Sequence, residues 1–314
     1  MVVGVLLITI AIVAAAASIP FQAALPLKSP FLKLSWRQMN MLPFLFAMAA
    51  IQVYLEKDFS LKSVFKWSLL KRILLIAFIG DLMSLFGVFA GTYTIMSHVQ
   101  IFSNMSGALI VLHAFLSGRV VHRFEVLGTL IALGGCFITV TDPQAQKVDR
   151  AQENILLGDF LAFMAAIFSA FYYTANQALV RQVPPFLAIS MVMLASQTLL
   201  QAFGALFVVD FDLTCSPETG SFGFVNVDYL GFVVFGLGFL SGACNYGCSF
   251  QALRYVSPLV LCTALLFTPF VGQAFGVMLG LDQMPGAVTV VGTTVSMGGL
   301  YFVAVGGSQK AASE

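Results

Sequence analysis

Residues Phe21–Ser35 read FQAALPLKSPFLKLS and residues Asn176–Ser190 read NQALVRQVPPFLAIS. At an offset of 155, Gln22 falls on Gln177, Ala23 on Ala178, Pro30-Phe31-Leu32 on Pro185-Phe186-Leu187, and Ser35 on Ser190. Further along, at an offset of 162, Gly80, Ala90, Tyr93 and Gly118 fall on Gly242, Ala252, Tyr255 and Gly280. At 164, Gly128-Thr129 and Gly134-Gly135 fall on Gly292-Thr293 and Gly298-Gly299. The order is kept and the offset grows only by loop-sized steps, as an internal duplication requires. Chance similarity between two apolar helices is the weaker explanation, because turn residues such as Pro30 and Pro185 match as well.

The composition says what solvent the two copies face. Of 314 residues, 59% are hydrophobic and 9% charged, with a mean hydropathy of +0.95, whereas a globular domain carries about 25% charge. Fifteen Lys and Arg against fourteen Asp and Glu leave a net charge of +1, which gives no basic field for nucleic acid. The five cysteines imply no disulfide framework. Uncharged apolar stretches run over 2–25, 37–55, 72–92, 98–117, 124–141, 155–180, 186–209, 229–251, 257–280 and 285–306, each near the roughly 20 residues that cross a bilayer.

The expected fold is therefore an all-α integral membrane protein of ten transmembrane helices. Five spans per copy is an odd number, so the second copy enters the membrane from the opposite side and the two repeats are inverted. Residues 1–141 form the first repeat, 142–154 a linker, 155–306 the second repeat, and 307–314 a short tail. The repeat pairs the first stretch with the sixth, which argues that the first is a retained helix and not a cleaved signal sequence. Placing both termini in the cytoplasm leaves ten basic residues inside and five outside, namely Lys28, Lys33, Arg37, Lys147 and Arg150, in line with the positive-inside tendency. Inverted repeats are typical of secondary transporters, with the site near the midplane between the halves.

The stretch Ala252–Gly280, ALRYVSPLVLCTALLFTPFVGQAFGVMLG, followed by a helix with Gly292, Gly298 and Gly299, resembles the C-terminal half of an EamA-type member of the drug/metabolite transporter superfamily. Tyr93–Gly118 and Val126–Phe137 repeat the theme in the first half. The resemblance covers nearly the whole chain, and implies ten helices in a five-plus-five inverted repeat and transport of a solute. Departures bear on the substrate. Family members often carry a Glu before the last helix of each repeat and a Glu-Pro pair in the ninth, where this chain has Gly118-Arg119, Asp282 and Thr268-Pro269. A Gly-Ala-Leu-Asn-Lys run associated with nucleotide-sugar relatives is absent.

Polar residues within spans are costly in lipid and mark function by default. Three spans show polar faces at helical spacing: Gln100, Ser103, Asn104 and Gly107; Ser169, Tyr172, Tyr173 and Asn176, with Gln177 beside them; and Ser241, Cys244, Asn245 and Cys248, next to Tyr246. With Gln22, these amides and phenols are the candidate substrate-binding groups, against the plainer reading that they hold helices together. Asp81 is the one carboxylate well inside a span, a candidate for a coupling proton or a cationic group. His98 and His113 read as helix contacts. Pro269, Gly272, Gly276 and Gly280 give the ninth span a small-residue packing face with a loosened turn. No Lys or Arg falls in the middle of a predicted span, which favours a neutral, zwitterionic or cationic solute over a phosphorylated one.

The sequence thus describes a multi-pass secondary transporter of a small organic metabolite, working by alternating access. A non-transporting scaffold, a nucleotide-sugar carrier and a divalent-cation carrier are the alternatives. No nucleophile–base pair marks an enzyme, and no cofactor or metal site is expected: Cys244 and Cys248 lie one turn apart without a completing His or carboxylate. The expected partners are the solute, a coupling proton, the lipid bilayer and a second copy in a homodimer.

Overall fold

The computed structural model describes residues 2–56, 59–94, 99, 102–103, 105–118, 121–141, 154–280 and 287–313. Among these the chain is helical throughout, with one isolated β-bridge, Asp212 to Gly220. Ten rods follow one another: α1 (Val2–Ala24), α2 (Pro30–Leu55), α3 (Trp67–Tyr93), α4 (Ser106–Leu116), α5 (Arg123–Val140), α6 (Ile155–Val180), α7 (Pro185–Phe207), α8 (Phe232–Ala252), α9 (Pro258–Met278) and α10 (Ala287–Ser313). Seven, namely α1–α3 and α6–α9, are long and apolar enough to cross a membrane; α4 and the Val290–Val303 core of α10 are shorter apolar helices. Side chains such as Leu6, Phe78, Leu156, Leu206, Phe235 and Tyr301 are exposed, which is the surface an integral multi-pass protein presents to lipid.

Local chemistry sets the helix starts. Ser29, Asn154 and Ser257 each accept a hydrogen bond from the backbone N–H three residues on, at 3.3 Å, satisfying a donor that the first turn leaves unpaired. Pro30, Pro185 and Pro258 occupy the first helical position, where no N–H is missed. Helix α8 begins as a wider π-helical winding over Phe232–Cys244 and continues as α-helix. Helix α9 is α-helical, then 3-10 over Leu265–Phe267, then α-helical again from Thr268. The break sits just before Pro269, which has no N–H to donate into the turn behind it.

Three helix pairs approach closely, and α2 with α8 is one: a side chain at Gly238 would come within 2.6 Å of the Asn40 carbonyl oxygen. A side chain at Gly128 of α5 would come within 2.6 Å of the Gly299 carbonyl oxygen of α10, and one at Gly135 would meet Gly292 and Ser296. Gly128 faces Gly299 and Gly135 faces Gly292, so the two helices run antiparallel. In α3 and α6, Gly80 faces Tyr172 (2.8 Å), Gly87 faces Ala165 (4.0 Å) and Gly158 faces Thr94 (2.5 Å). Each step of seven along one helix is matched by seven back along the other, again antiparallel. Helix α2 packs between α7 and α8, and α1 lies against α8 and α9. The main apolar core, with Met41, Leu45, Tyr172, Ile189, Met193 and Phe250, fills the space among α2, α6, α7 and α8.

The two glycines with left-handed backbone, Gly118 (φ 67°) and Gly280 (φ 69°), end α4 and α9. Their surroundings repeat residue for residue: Ser117 N–H bonds to the His113 carbonyl and Gly118 N–H to that of Phe115, as Leu279 N–H does to Phe275 and Gly280 N–H to Val277. Gly280 is therefore a helix terminator, exposed with nothing within 4 Å of where a side chain would be, and not the packing residue that its spacing suggested. Gly272 and Gly276 are buried.

The 208–231 loop is folded on itself. Asp212 N–H bonds to the Thr219 carbonyl and Ser221 N–H to that of Asp212, while the Asp212 carboxylate accepts from the Thr214 hydroxyl, the Thr214 N–H (2.9 Å) and the Thr219 hydroxyl (2.8 Å). The loop returns to the bundle through Gly220, whose carbonyl accepts from the indole N–H of fully buried Trp36 at 3.0 Å. Phe31 and Phe211 pack edge to face beside it, with ring centres 5.0 Å apart.

Two outcomes are expected. Gly135→Ala lowers the apparent thermal stability by about 1–3 kcal/mol through overpacking against α10, whereas Gly134→Ala, which meets nothing within 4 Å, changes it by less than about 1 kcal/mol; thermal unfolding of the purified pair reads the difference. The Thr214 hydroxyl and N–H, with Thr219, hold the Asp212 carboxyl below the ordinary carboxylate range. A lowered value in the folded loop makes its stabilisation present at neutral pH and lost as pH falls through that value. Amide protection over 212–223, measured relative to the intrinsic exchange rate at each pH, is expected to be high at pH 7, to fall in acid, and to be low at both in Asp212→Ala.

Candidate functional site

A cavity of about 540 Å³ opens between α1, α2, α3, α6, α8 and α9. It reaches the surface beside Lys28, in the α1–α2 connection, and Thr92, at the end of α3, both exposed. From there it runs inward past Lys33 and Ser84 to a floor of Tyr173, Asn245, Tyr246 and Leu265. Hydroxyls and amides of Ser18, Gln22, Ser106, Ser169 and Thr268 line its sides. None of the described lining residues is Asp or Glu.

The strongest charge in the wall is Arg37, which hydropathy alone puts at a span boundary. Helix α2 starts at Pro30, seven residues earlier, so Arg37 lies about 10 Å along the helix at 1.5 Å per residue. It is only 6% exposed. Its guanidinium donates to the Ser18 hydroxyl of α1 and to the Tyr246 hydroxyl of α8 at 3.3 Å, and sits 5.7 Å from the centre of the Tyr246 ring. Its Nε–H is buried without a partner. The expectation of a cavity free of Lys and Arg is corrected: the wall holds Arg37 with Lys33 one turn before it and Lys28 at the mouth. The Ser29-Pro30 pair, a capping residue followed by a proline at the first helical position, was the signal that places the start of α2 earlier.

The other candidates divide among several places. Gln22, Tyr173, Asn245 and Tyr246 line the cavity. Tyr172 and Asn176 are fully buried and outside its lining; Tyr172 is turned towards Gly80 of α3. Gln177 lines a separate hollow with Arg181, Arg254 and Tyr255. Gln100 and Asn104 lie outside the described residues, as does His98.

Asp81 is 5% exposed, and its carboxylate accepts from the Ser196 hydroxyl of α7 and from the Gln38 amide of α2 at 3.5 Å. The second carboxylate oxygen is buried without a partner. Ser196→Ala is expected to destabilise the protein by about 1–3 kcal/mol, since the carboxylate loses its closest donor, with Ser190→Ala, whose hydroxyl bonds only its own helix at Phe186, costing less in the same melting experiment.

At the other end of α2 three helices are tied together. Glu56 accepts from Arg254 of the α8 end at 2.8 Å, Gln52 donates to Glu56 at 3.0 Å, and the Gln52 side-chain amide oxygen accepts from the Phe186 N–H of α7 at 2.9 Å. The residues at the two ends differ: an open mouth beside Lys28, and an ion pair with an amide network beside Glu56. Among the described residues no group of three His, Cys, Asp or Glu side chains is placed to hold a metal ion.

A multi-pass helical membrane protein with a polar cavity open at one end is the class these features define. Residues 156–305 match the EamA-like transporter family, so the second half of the chain carries an EamA-like transporter domain. One solved crystal structure, described only as that of a protein, is similar over 98% of both chains, with 17% identity and a TM-score of 0.67, a likeness of fold. No curated protein sequence matches the chain.

Proposed function

We propose that the protein is a secondary transporter of a small organic metabolite, built as ten transmembrane helices in two inverted five-helix repeats, 1–141 and 155–306, and working by alternating access. The observation that carries the reading is a polar cavity that opens beside Lys28, with the far ends of α2 and α8 tied by Glu56, Arg254 and Gln52. A solute that enters there leaves on the other side only if those ties give way.

The contact pattern supports the inverted repeat. Exchange each helix for its repeat partner and the α5–α10 contact maps onto itself, as Gly128–Gly299 becomes Gly292–Gly135. The α3–α6 pair becomes α8–α1, and both pairs are in contact. The matched left-handed glycines that end α4 and α9 support the same relation. With both termini in the cytoplasm, as the distribution of Lys and Arg suggests, the mouth beside Lys28 faces outward and Glu56–Arg254 ties the inner ends of α2 and α8. Asp81 is the proposed carrier of a coupling proton, since it is buried between α2, α3 and α7 with one oxygen unpaired.

Cysteine accessibility and uptake test this reading. The Glu56 and Arg254 side chains are about one-third exposed (34% and 32%), and such a pair is worth about 0.2–1 kcal/mol. In a cysteine-free background, Glu56→Gln is expected to speed maleimide labelling of Gln177→Cys and to slow that of Ser84→Cys, each by up to about five-fold. Reconstituted wild-type protein is expected to take up at least one solute from a metabolite panel, faster with a proton gradient, and Asp81→Asn to remove that acceleration. Unchanged labelling at both positions together with no uptake would refute alternating access.

A further inference from the structure

We propose that the cavity takes its solute by an anionic group, a carboxylate or a phosphate, seated on the guanidinium of Arg37. The inference deepens the transport reading of the same cavity and rests on it for every step after binding.

Burying a charge is costly unless it is paired, and Arg residues are seldom buried alone. Arg37 is buried, yet the partners it reaches, Ser18 and Tyr246, are neutral hydroxyls. Two of the five guanidinium N–H groups are so used and Nε–H is enclosed without a partner, while Arg37 itself lines the open space. That N–H and its neighbour form the side-on fork that binds two oxygens of a carboxylate or phosphate at once. The carboxylate that an isolated buried arginine lacks is not supplied by the described cavity wall, which holds no Asp or Glu. Asp81 is occupied elsewhere, with Ser196 and Gln38.

The surroundings favour the same sign of charge. Lys28 at the mouth and Lys33 one turn before Arg37 line the path inward, a positive approach that raises the local concentration of an anion. Deeper in, Gln22, Ser169 and Asn245 offer neutral hydrogen-bonding groups and Tyr173 an aromatic wall, which suits an uncharged polar remainder. A volume of about 540 Å³ lies in the range of roughly 300–1,000 Å³ typical of metabolite-sized ligands. Bracing α1 to α8 through Ser18 and Tyr246 leaves the Nε–H unused.

Binding is read on the purified full-length protein by thermal unfolding, with succinate and glycerol 3-phosphate as probes and choline and sorbitol as comparators at matched ionic strength. At least one anion is expected to raise the apparent Tm saturably, as a ligand of the folded state does, with no effect from choline or sorbitol; which anion responds separates carboxylate from phosphate. Arg37→Gln is expected to weaken that anion by about ten-fold or more and Lys28→Gln by about two-fold. If Arg37→Gln does not fold, Arg37→Lys replaces it, a point charge without the fork, expected to bind several-fold more weakly. Failure of both anions to stabilise the wild type, equal stabilisation by choline or sorbitol, or unchanged affinity in the Arg37 variant overturns the proposal. In proteoliposomes, anion binding without uptake would refute transport and leave the site; uptake of choline or sorbitol but of neither anion would refute the site and leave transport.

Discussion

In a bilayer the apolar side chains of a helix gain little by leaving lipid for protein, so what holds two helices together is contact at close range. Here that contact is made where side chains are missing. At Gly128, Gly135 and Gly299 the backbones of α5 and α10 approach until no Cβ would fit, and Ser296 donates to the Ala132 carbonyl at 3.1 Å across the same seam. Gly158 does the same against the Thr94 backbone, and Gly80 makes room for the Tyr172 ring between α3 and α6. These two antiparallel pairs are stiff because their fit leaves no slack. The α3–α6 pair forms one wall of the cavity, and α1 faces it with the small residues Ala15, Ser18 and Ala23.

The same medium makes buried charge the most expensive feature of the interior. Two ionisable residues are held there in different ways. Asp81 points away from the cavity into a hydroxyl and an amide contributed by α7 and α2, so it ties three helices of both halves together. Arg37 faces the cavity and ties α1 to α8 through Ser18 and Tyr246. Each therefore links helices of the first 141 residues to helices beyond residue 155.

Much of this was legible in the residues. Gly118 and Gly280, matched at an offset of 162, each end a helix, because a left-handed terminator admits few residues other than glycine. Gly128, Gly135 and Gly299 mark real contacts for an equally strict reason. Position on a helix face was less legible. The stripe Ser169, Tyr172, Tyr173 and Asn176 is wide enough to be cut by two environments: Ser169 and Tyr173 face the cavity, while Tyr172 turns to Gly80. Periodicity gives a face but not the neighbour it meets. Arg37 was missed because hydropathy begins a span where charge ends, whereas the helix begins where Ser29 caps it. The polar contact of Asp81 with Ser196 joins residues 115 apart in sequence, and neither residue announces the other.

The chain has two tryptophans, and their settings could hardly differ more. Trp67 is two-thirds exposed with the Lys71 ammonium 5.3 Å from its ring centre. Trp36 is wholly enclosed, its N–H held by Gly220 and its ring 6.1 Å from that of Phe224. It is also the residue next to Arg37. The protein therefore carries a built-in optical reporter: an indole in a dry, fixed environment one peptide bond from the buried guanidinium. Any event that shifts the first turns of α2 or lifts the 208–231 loop changes the colour and polarisation of its emission. Replacing Trp67 alone would leave that signal unmixed.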